Sequence, residues 1–569
     1  MALTFVDWLV VALYFVASAV VGLLFTRRAG KSVAEYFTAG RSLPWWLAGT
    51  SMVATTFAAD TPLAVTALVA EHGIAGNWVW WNMVAGGMLT VFFYARLWRR
   101  AGVKTDAELT ELRYAGRPAA LLRTFRALYL ALPINLIIIG WVNLAMVKVL
   151  QTMLGVNPFV AMLGLFFLTV VYSSLSGLWG VVVTDFFQFL LAMGGCVVLA
   201  WFAVDAVGGL DALVAKVPPA SLELFPSDPK WMPAGVLFSY FAVQWWASWY
   251  PGSEPGGGGY VAQRIFASKT ERDGMLATLW FTIAHYAVRP WPWILTALAA
   301  GLLFPAGADK GVAFVQAIAL LPAGLKGLLL AAFAAAYMST LSTQLNWGAA
   351  YLVNDVFARR PGANTSEPAL VRFSRLTTGV IFLLSAGSTW ALYRVGSVDG
   401  AWRVLLALGA GTGPVYLLRW FWWRINAWSE ISAMGFSLVS FLALTLTGVF
   451  DPSDSVSSAW LMVVNTAITT VGWVAVTLLT PPEPEAHLKA FHDRTRPGGP
   501  GWKRIAPGVP MEGGGRAWLA WAGGVAGVYG ALFGVGRLLL GPRVEAVPFL
   551  AVMVAGFFVV ARFAVREER

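Results

Sequence analysis

"ATTFAADTPLAV", residues 54–65, sets an aspartate, a threonine and a proline in the middle of a stretch otherwise apolar enough to cross a bilayer. Proline removes an amide donor and frees a carbonyl, and bare backbone at membrane depth persists only where it lines a cavity or binds something. The enclosing segment, 43–70, therefore reads as a broken spanning helix. A second interruption, "YPGSEPGGGGY" at 250–260, closes the apolar run 233–250. Discontinuous helices in corresponding positions of two halves are the sequence mark of an inverted-repeat transporter. The two interrupted spans stand five spans apart, which fits repeats at 43–205 and 233–420.

The rest of the chain agrees with a membrane setting. Its 569 residues are 58% hydrophobic and 12% charged, with a mean hydropathy of +0.68, which excludes a soluble globule. Uncharged runs such as 8–25 and 186–204 are long enough to span as helices, and the alternation of barrel strands is absent. Hydropathy predicts an all-α integral membrane protein of about fifteen helices. No Lys or Arg precedes the first run and no small-residue cleavage site follows it, so it reads as a retained helix rather than a signal peptide.

The net charge of +11, from 40 basic and 29 acidic residues, would suggest nucleic acid for a soluble protein. Here its placement reports topology, and no nucleic acid is expected. Lys and Arg concentrate at 27–31, 98–123, 263–273, 358–375 and 480–515, whereas 71–77, 210–230 and 450–458 are acidic or neutral by comparison. The positive-inside rule then gives an outside N-terminus and a cytoplasmic C-terminus in the plasma (inner) membrane. Residues 1–42 carry an extra helix and a cytoplasmic loop, 206–232 an outside loop between the repeats, and 421–479 two peripheral helices. The Pro/Gly-rich stretch 480–515 reads as a cytoplasmic linker, and 516–569 as two last helices.

Chemistry is sparse. The single cysteine, Cys196, rules out a disulfide framework and a Cys-based zinc site. No phosphate-binding loop occurs, and His72, His285, His487 and His492 are scattered, so enzyme activity is not expected. What stands out is "YMSTLSTQLN" at 337–346, four hydroxyls in five positions of an apolar helix. Ala336, Ser339, Thr340 and Thr343 share one face, with Ser342 beside it. Such a face can coordinate a small hard cation; it can equally bond the carbonyl one turn back and let helices approach closely. Asp60 and Asp185 are ionisable groups within spans, a costly placement that marks a functional hypothesis, although Asp185 also suits the start of a helix. Lys148 and Arg289 lie in or near spans, read as snorkelling or ion-paired, and are given no role.

These segments resemble the sodium:solute symporter family, a branch of the inverted-repeat transporters with the LeuT-type fold. The likeness runs through "SVAEYFTAGRSLPWWLAGTSMVAT" (32–55), "DAELTELRYAG" (106–116), "VYSSLSGLWGVVVTDFFQ" (171–188), "YVAQRIFASKT" (260–270) and "AAYMSTLSTQLNWGAAYLVNDVF" (335–357), in the family's order. It implies a 5+5 inverted-repeat core with one extra N-terminal helix and about four extra C-terminal ones. It further implies a main sodium site from the carbonyls of Ala54, Phe57 and Ala336 with the hydroxyls of Ser339 and Thr340. A second site, present in some members, would here use Asp185, Ser339, Ser342 and Thr343. Where sugar carriers of the family place a Glu-Gln pair on the solute, this chain has Asp60-Thr61, and 244–264 departs from the family's run. Ser-Gly-Leu at 176–178 stands where the family has Gly-Gly-Leu.

Trp245, Trp246, Trp249 and Tyr250 are candidates for an aromatic cavity wall, against the simpler role of tryptophan as an interface anchor. The expected function is a sodium-coupled symporter that imports a small polar solute, with Na+ as coupling ion, the bilayer as surroundings and no obligate protein partner. A proton-coupled symporter, a transporter-like sensor and a channel are the other readings.

Overall fold

A computed structural model describes all residues except 156, 228–230, 249–255, 305–308, 361, 364–365, 396–405, 407–408, 453 and 567–569, and omits the side chains of 29, 171–172, 174–176, 393–395 and 565–566 as well. The described chain is helical, and its only extended pairing is an isolated bridge between Leu43 and Ser268. Nine described helices are long and apolar enough to cross a membrane, or ten when one bent pair counts as a single span. Several other hydropathy peaks are built from shorter pieces joined by π turns or prolines.

α1 is Phe5–Ala29. The broken span is α2, Trp45–Thr55, followed by α3, Asp60–His72, with a 59° bend between them. Val84–Leu89, the π turn Thr90–Tyr94 and Ala95–Ala101 run together as α4. α5 is Gly116–Leu154, α6 is Pro158–Val170 and α7 is Gly177–Val207. α8 joins Ala234–Ser239, the π turn Tyr240–Gln244 and Trp245–Ala247; α9 then begins at Gly259 and ends at Ala267. α10 is Glu271–Ile283 with its π turn Ala284–Val288, and α11 is Pro290–Leu303. α12, Leu325–Phe357, is followed by α13, Glu367–Val395, α14, Gly413–Leu418, α15, Ala427–Leu446, and α16, Ser455–Leu479. α17 is Glu485–Thr495, α18 is Gly514–Leu540 and α19 is Arg543–Arg566.

Burial ranks these helices. In α12, 94% of the apolar window is buried inside the protein, against 17% for α1 and for α19, so α12 is central and those two face lipid. Its run of Ala, Gly, Ser and Thr supplies the reason, since small side chains let neighbouring backbones come close where no water drives association. α7 lies along α12, and both α1 and α2 lie on α7. The head of the first interrupted span and the tail of the second are tied by backbone: Leu43 donates to Ala267 O at 3.0 Å and accepts from Lys269 N at 2.8 Å. The start of α2 and the end of α9 therefore form one mechanical unit.

Residues 480–515 correct the linker reading. The segment contains α17 and buries Leu488, Phe491 and Trp502. Trp502 Nε1 donates to Trp420 O at 2.8 Å, and the Arg113 guanidinium lies 5.3 Å from the Phe491 ring and 5.2 Å from the Trp502 ring. Farther along, Arg100 pairs with Glu512 at 2.6 Å. Two isolated aromatics amid Pro and Gly make no periodic pattern, yet each fills a slot beside a buried cation, which is enough to dock the stretch.

The join between α6 and α7 turns at Gly177, with φ 57° and ψ −163°. Only glycine adopts that conformation without strain. Gly177→Ala is expected to cost about 1–3 kcal/mol, read as a lowered thermal midpoint of the purified protein. An unchanged midpoint would show that the turn relaxes.

Candidate functional site

The hydroxyl face of α12 meets the end of α2, the third turn of α7 and α9. Thr340 Oγ1 lies 2.8 Å from Thr55 O, to which it donates, and 3.2 Å from Ala336 O. Ser339 Oγ donates to Asp185 Oδ1 at 2.6 Å, and Ser51 Oγ, from α2, donates to Asp185 Oδ2 at 2.5 Å. Ser342 Oγ donates to Ser339 O at 3.0 Å, the turn-back bond open to any helical serine. Ala54, Phe57, Ala336, Ser339 and Thr340 are each no more than 3% exposed. Ala54 O accepts the Phe57 amide at 3.0 Å, so the chain turns sharply just past α2.

Asp185 is not a helix-start carboxylate in solvent. Eight residues into α7, it is fully buried and faces the Arg264 guanidinium of α9, whose Nη2 lies 3.6 Å from Oδ2. Arg264 also donates to Ser51 Oγ at 3.1 Å, to Thr343 Oγ1 at 2.6 Å and to Gln263 Oε1 at 2.9 Å. Thr343 Oγ1 lies 3.0 Å from Thr55 Oγ1, which donates in turn to Ser51 O at 2.9 Å. One carboxylate, one guanidinium and four hydroxyls thus bind α2, α7, α9 and α12 into a single buried network. Oxygen-rich and free of sulfur and imidazole, this set suits a hard monovalent cation better than a transition metal. A cation seated among Asp185, Ser342 and Thr343 would have to displace Arg264 from Thr343.

A second polar group lies at the break. Thr61 Oγ1 donates to Thr56 O at 3.2 Å. Thr56 Oγ1 donates to Val53 O at 2.9 Å and receives Arg289 Nη1 at 2.9 Å, with His285 Nδ1 at 3.0 Å. His285 Nε2 lies 3.2 Å from Arg289 Nη2, which can only donate, so Nε2 accepts and the proton sits on Nδ1, donating to Thr56. Arg289, 1% exposed, does not snorkel. Lys148 pairs with Asp309 at 2.6 Å.

The aromatic candidates divide. Trp245 and Trp246 are half-buried and bond the carbonyls of Phe241 and Ala242, and the Trp245 ring lies 5.7 Å from Trp521 of α18. Trp249 and Tyr250 lie outside the described residues. The ring pair at the break is Phe57 with Trp293, 4.8 Å apart and edge to face. Arg264, Ser51, Thr55, His285 and Arg289 are the site residues that sequence reasoning missed. The Gln-Arg pair in "YVAQRIFASKT" and the charge of Arg289 in or near a span were the available signals.

A helix interrupted at mid-membrane and set against a hydroxyl-lined helix in a multi-pass chain defines a membrane transporter rather than an enzyme. Residues 36–435 match the sodium:solute symporter family, and the chain belongs to that family. It is 27% identical to the sodium/glucose cotransporter of Vibrio parahaemolyticus over 74% of this chain and 81% of that protein. It is 24% identical to the sodium/sialic acid symporter SiaT of Proteus mirabilis (strain HI4320), over 77% and 89%. A solved Na+-coupled sialic acid symporter in a substrate-bound outward-open state shares the fold, with a TM-score of 0.68 at 20% identity over 84% of this chain and 99% of that one.

The buried pair predicts a double-mutant result. Arg264→Gln strands Asp185 and is expected to cost about 3–5 kcal/mol, most of it recovered by adding Asp185→Asn. Thermal or denaturant unfolding of the purified variants reads both, and strictly additive losses would show that the two charges are not coupled.

Proposed function

We propose that the protein is a sodium-coupled secondary active symporter that imports a small polar solute by alternating access. The observation that carries this reading is the contact of the broken span with α12, where Thr340 Oγ1 reaches Thr55 O at 2.8 Å beside Ser339. Sodium would take the carbonyls of Ala54, Phe57 and Ala336 and the hydroxyls of Ser339 and Thr340. Each is a neutral oxygen donor of the kind that replaces the water around a small cation. A second ion at Asp185, Ser339, Ser342 and Thr343 requires Arg264 to move aside, which makes that site conditional on rearrangement of α9.

Bound sodium would hold α2 against α12 and so favour one state of the core. Coupling needs only that the solute favours the same state, so each tightens the binding of the other. The solute position proposed is the break itself, with Asp60 and Thr61. A wall from Trp245, Trp246, Trp249 and Tyr250 is the weaker part of this assignment, because Trp245 turns toward α18. The five-helix repeats at 43–205 and 233–420 are supported by interruptions in both, at 56–59 and after Ala247. The remaining segments, about fifteen spans in all, would be peripheral, with the N-terminus outside and the C-terminus in the cytoplasm, as the basic loops favour.

Ser339 is proposed for both ion sites, so Ser339→Ala is the discriminating variant. Sodium chloride is expected to raise the thermal midpoint of the wild type relative to potassium chloride by mass action. The half-saturating sodium concentration is expected to rise about tenfold or more in the variant, the equivalent of losing one favourable contact of about 1.4 kcal/mol. Equal half-saturation in both proteins contradicts the assignment.

A further inference from the structure

Six acidic residues of the described chain are buried: Asp7, Asp60, Asp106, Asp185, Asp355 and Glu430. Five of them accept a hydrogen bond from a named donor: Asp7 from the amides of Gly324 and Gly327, Asp106 from Gly259 N, Asp185 from Ser51 and Ser339, Asp355 from Thr105, and Glu430 from Tyr114. Asp60 is the exception. It is 2% exposed, and neither carboxylate oxygen has a hydrogen-bond partner.

The surroundings do not supply the missing partner. The backbone amides of Asp60 and Thr61 at the head of α3 favour the charged carboxylate, yet neither makes a hydrogen bond of good geometry to it, and Thr61 N is bonded to Ala58 O at 3.2 Å. Arg289 is the cation whose field reaches Asp60, yet its nitrogens are engaged by Thr56, Val53 O and His285. His285 accepts from Arg289 and so brings no charge of its own. A buried carboxylate without donors is costly, and the cost is relieved either by taking up a proton or by the arrival of something with both donors and opposite charge.

We propose that Asp60 anchors the solute through a protonated amine, so that the transported class is primary or secondary ammonium compounds rather than neutral polyols or carboxylates. An ammonium brings N–H donors to both bare oxygens and cancels the charge. A polyol would satisfy the lone pairs and leave the charge in place, and an anionic solute would be repelled. This inference rests on the symporter reading, with the solute at the break.

The test is thermal stability of the purified full-length protein in sodium chloride against two matched series, glucosamine, glucose and glucuronate, then ethanolamine, ethylene glycol and glycolate. An ammonium member is expected to raise the midpoint where its neutral and acidic counterparts do not. Asp60→Asn is expected to weaken that binding about thirtyfold or more, as truncation of one partner of a buried charge pair does. The same variant should unfold no earlier than wild type without solute, because it removes a bare charge and not a bonded one. Asp60→Glu keeps the charge and should keep amine binding. The proposal is overturned if no ammonium compound shifts the midpoint while sodium still does, if the neutral or acidic members bind as well as the amine, or if Asp60→Asn binds the amine like wild type. Absence of any sodium shift would instead strike the symporter reading.

Discussion

The Arg264–Asp185 pair is the contact on which the rest of the site depends. Two charges in a fully buried position lose their hydration, and their mutual attraction offsets that loss only when the remaining donors and acceptors are satisfied. Here Ser51, Ser339 and Thr343 satisfy them, and each comes from a helix that has to be in register for the bond to form. The pair therefore fixes how α2, α9 and α12 sit against α7. A buried network of this kind has few intermediate arrangements, which suits a machine that moves between discrete states.

Around that fixed point the broken span becomes usable. Thr55 O, at the end of α2, accepts from Thr340 of α12 rather than from its own helix. The same hydroxyls that bond protein oxygens in this structure can turn their lone pairs to a cation, so under the proposed assignment the packing and ion-binding readings of the hydroxyl face become two occupancies of one place. The tie between Leu43 and Ala267 and Lys269 makes α2 and α9 move together, and both carry members of the network. An ion that tightens α2 on α12 is thereby felt at α9, through contiguous bonded groups rather than at a distance.

Much of this was legible in the amino-acid order. Pro62 beside Asp60 marks the break, and the spacing of Ser339, Thr340 and Thr343 marks the face, because both are properties of a single helix. Arg264 was not legible as a core residue: next to a basic cytoplasmic loop it reads as part of the positive-inside signal, and only the approach of α7 turns it into the partner of Asp185. Arg289, in or near a span, reads as snorkelling or ion-paired, and it is buried against Thr56. Trp245 shows the converse case. Its neighbours in sequence suggest a cavity wall, while the face it presents is set by α18, whose position no local pattern encodes. Phe491 and Trp502 hide in a stretch whose composition is that of a tether.

The central claim, that sodium joins the end of α2 to α12, is tested most directly by amide hydrogen exchange of the purified protein in sodium against potassium chloride. The account predicts slower exchange in sodium confined to peptides covering 54–61 and 336–343, with little change in α18 and α19. Identical exchange in the two salts, or protection that appears elsewhere and leaves those two segments unaffected, would contradict it.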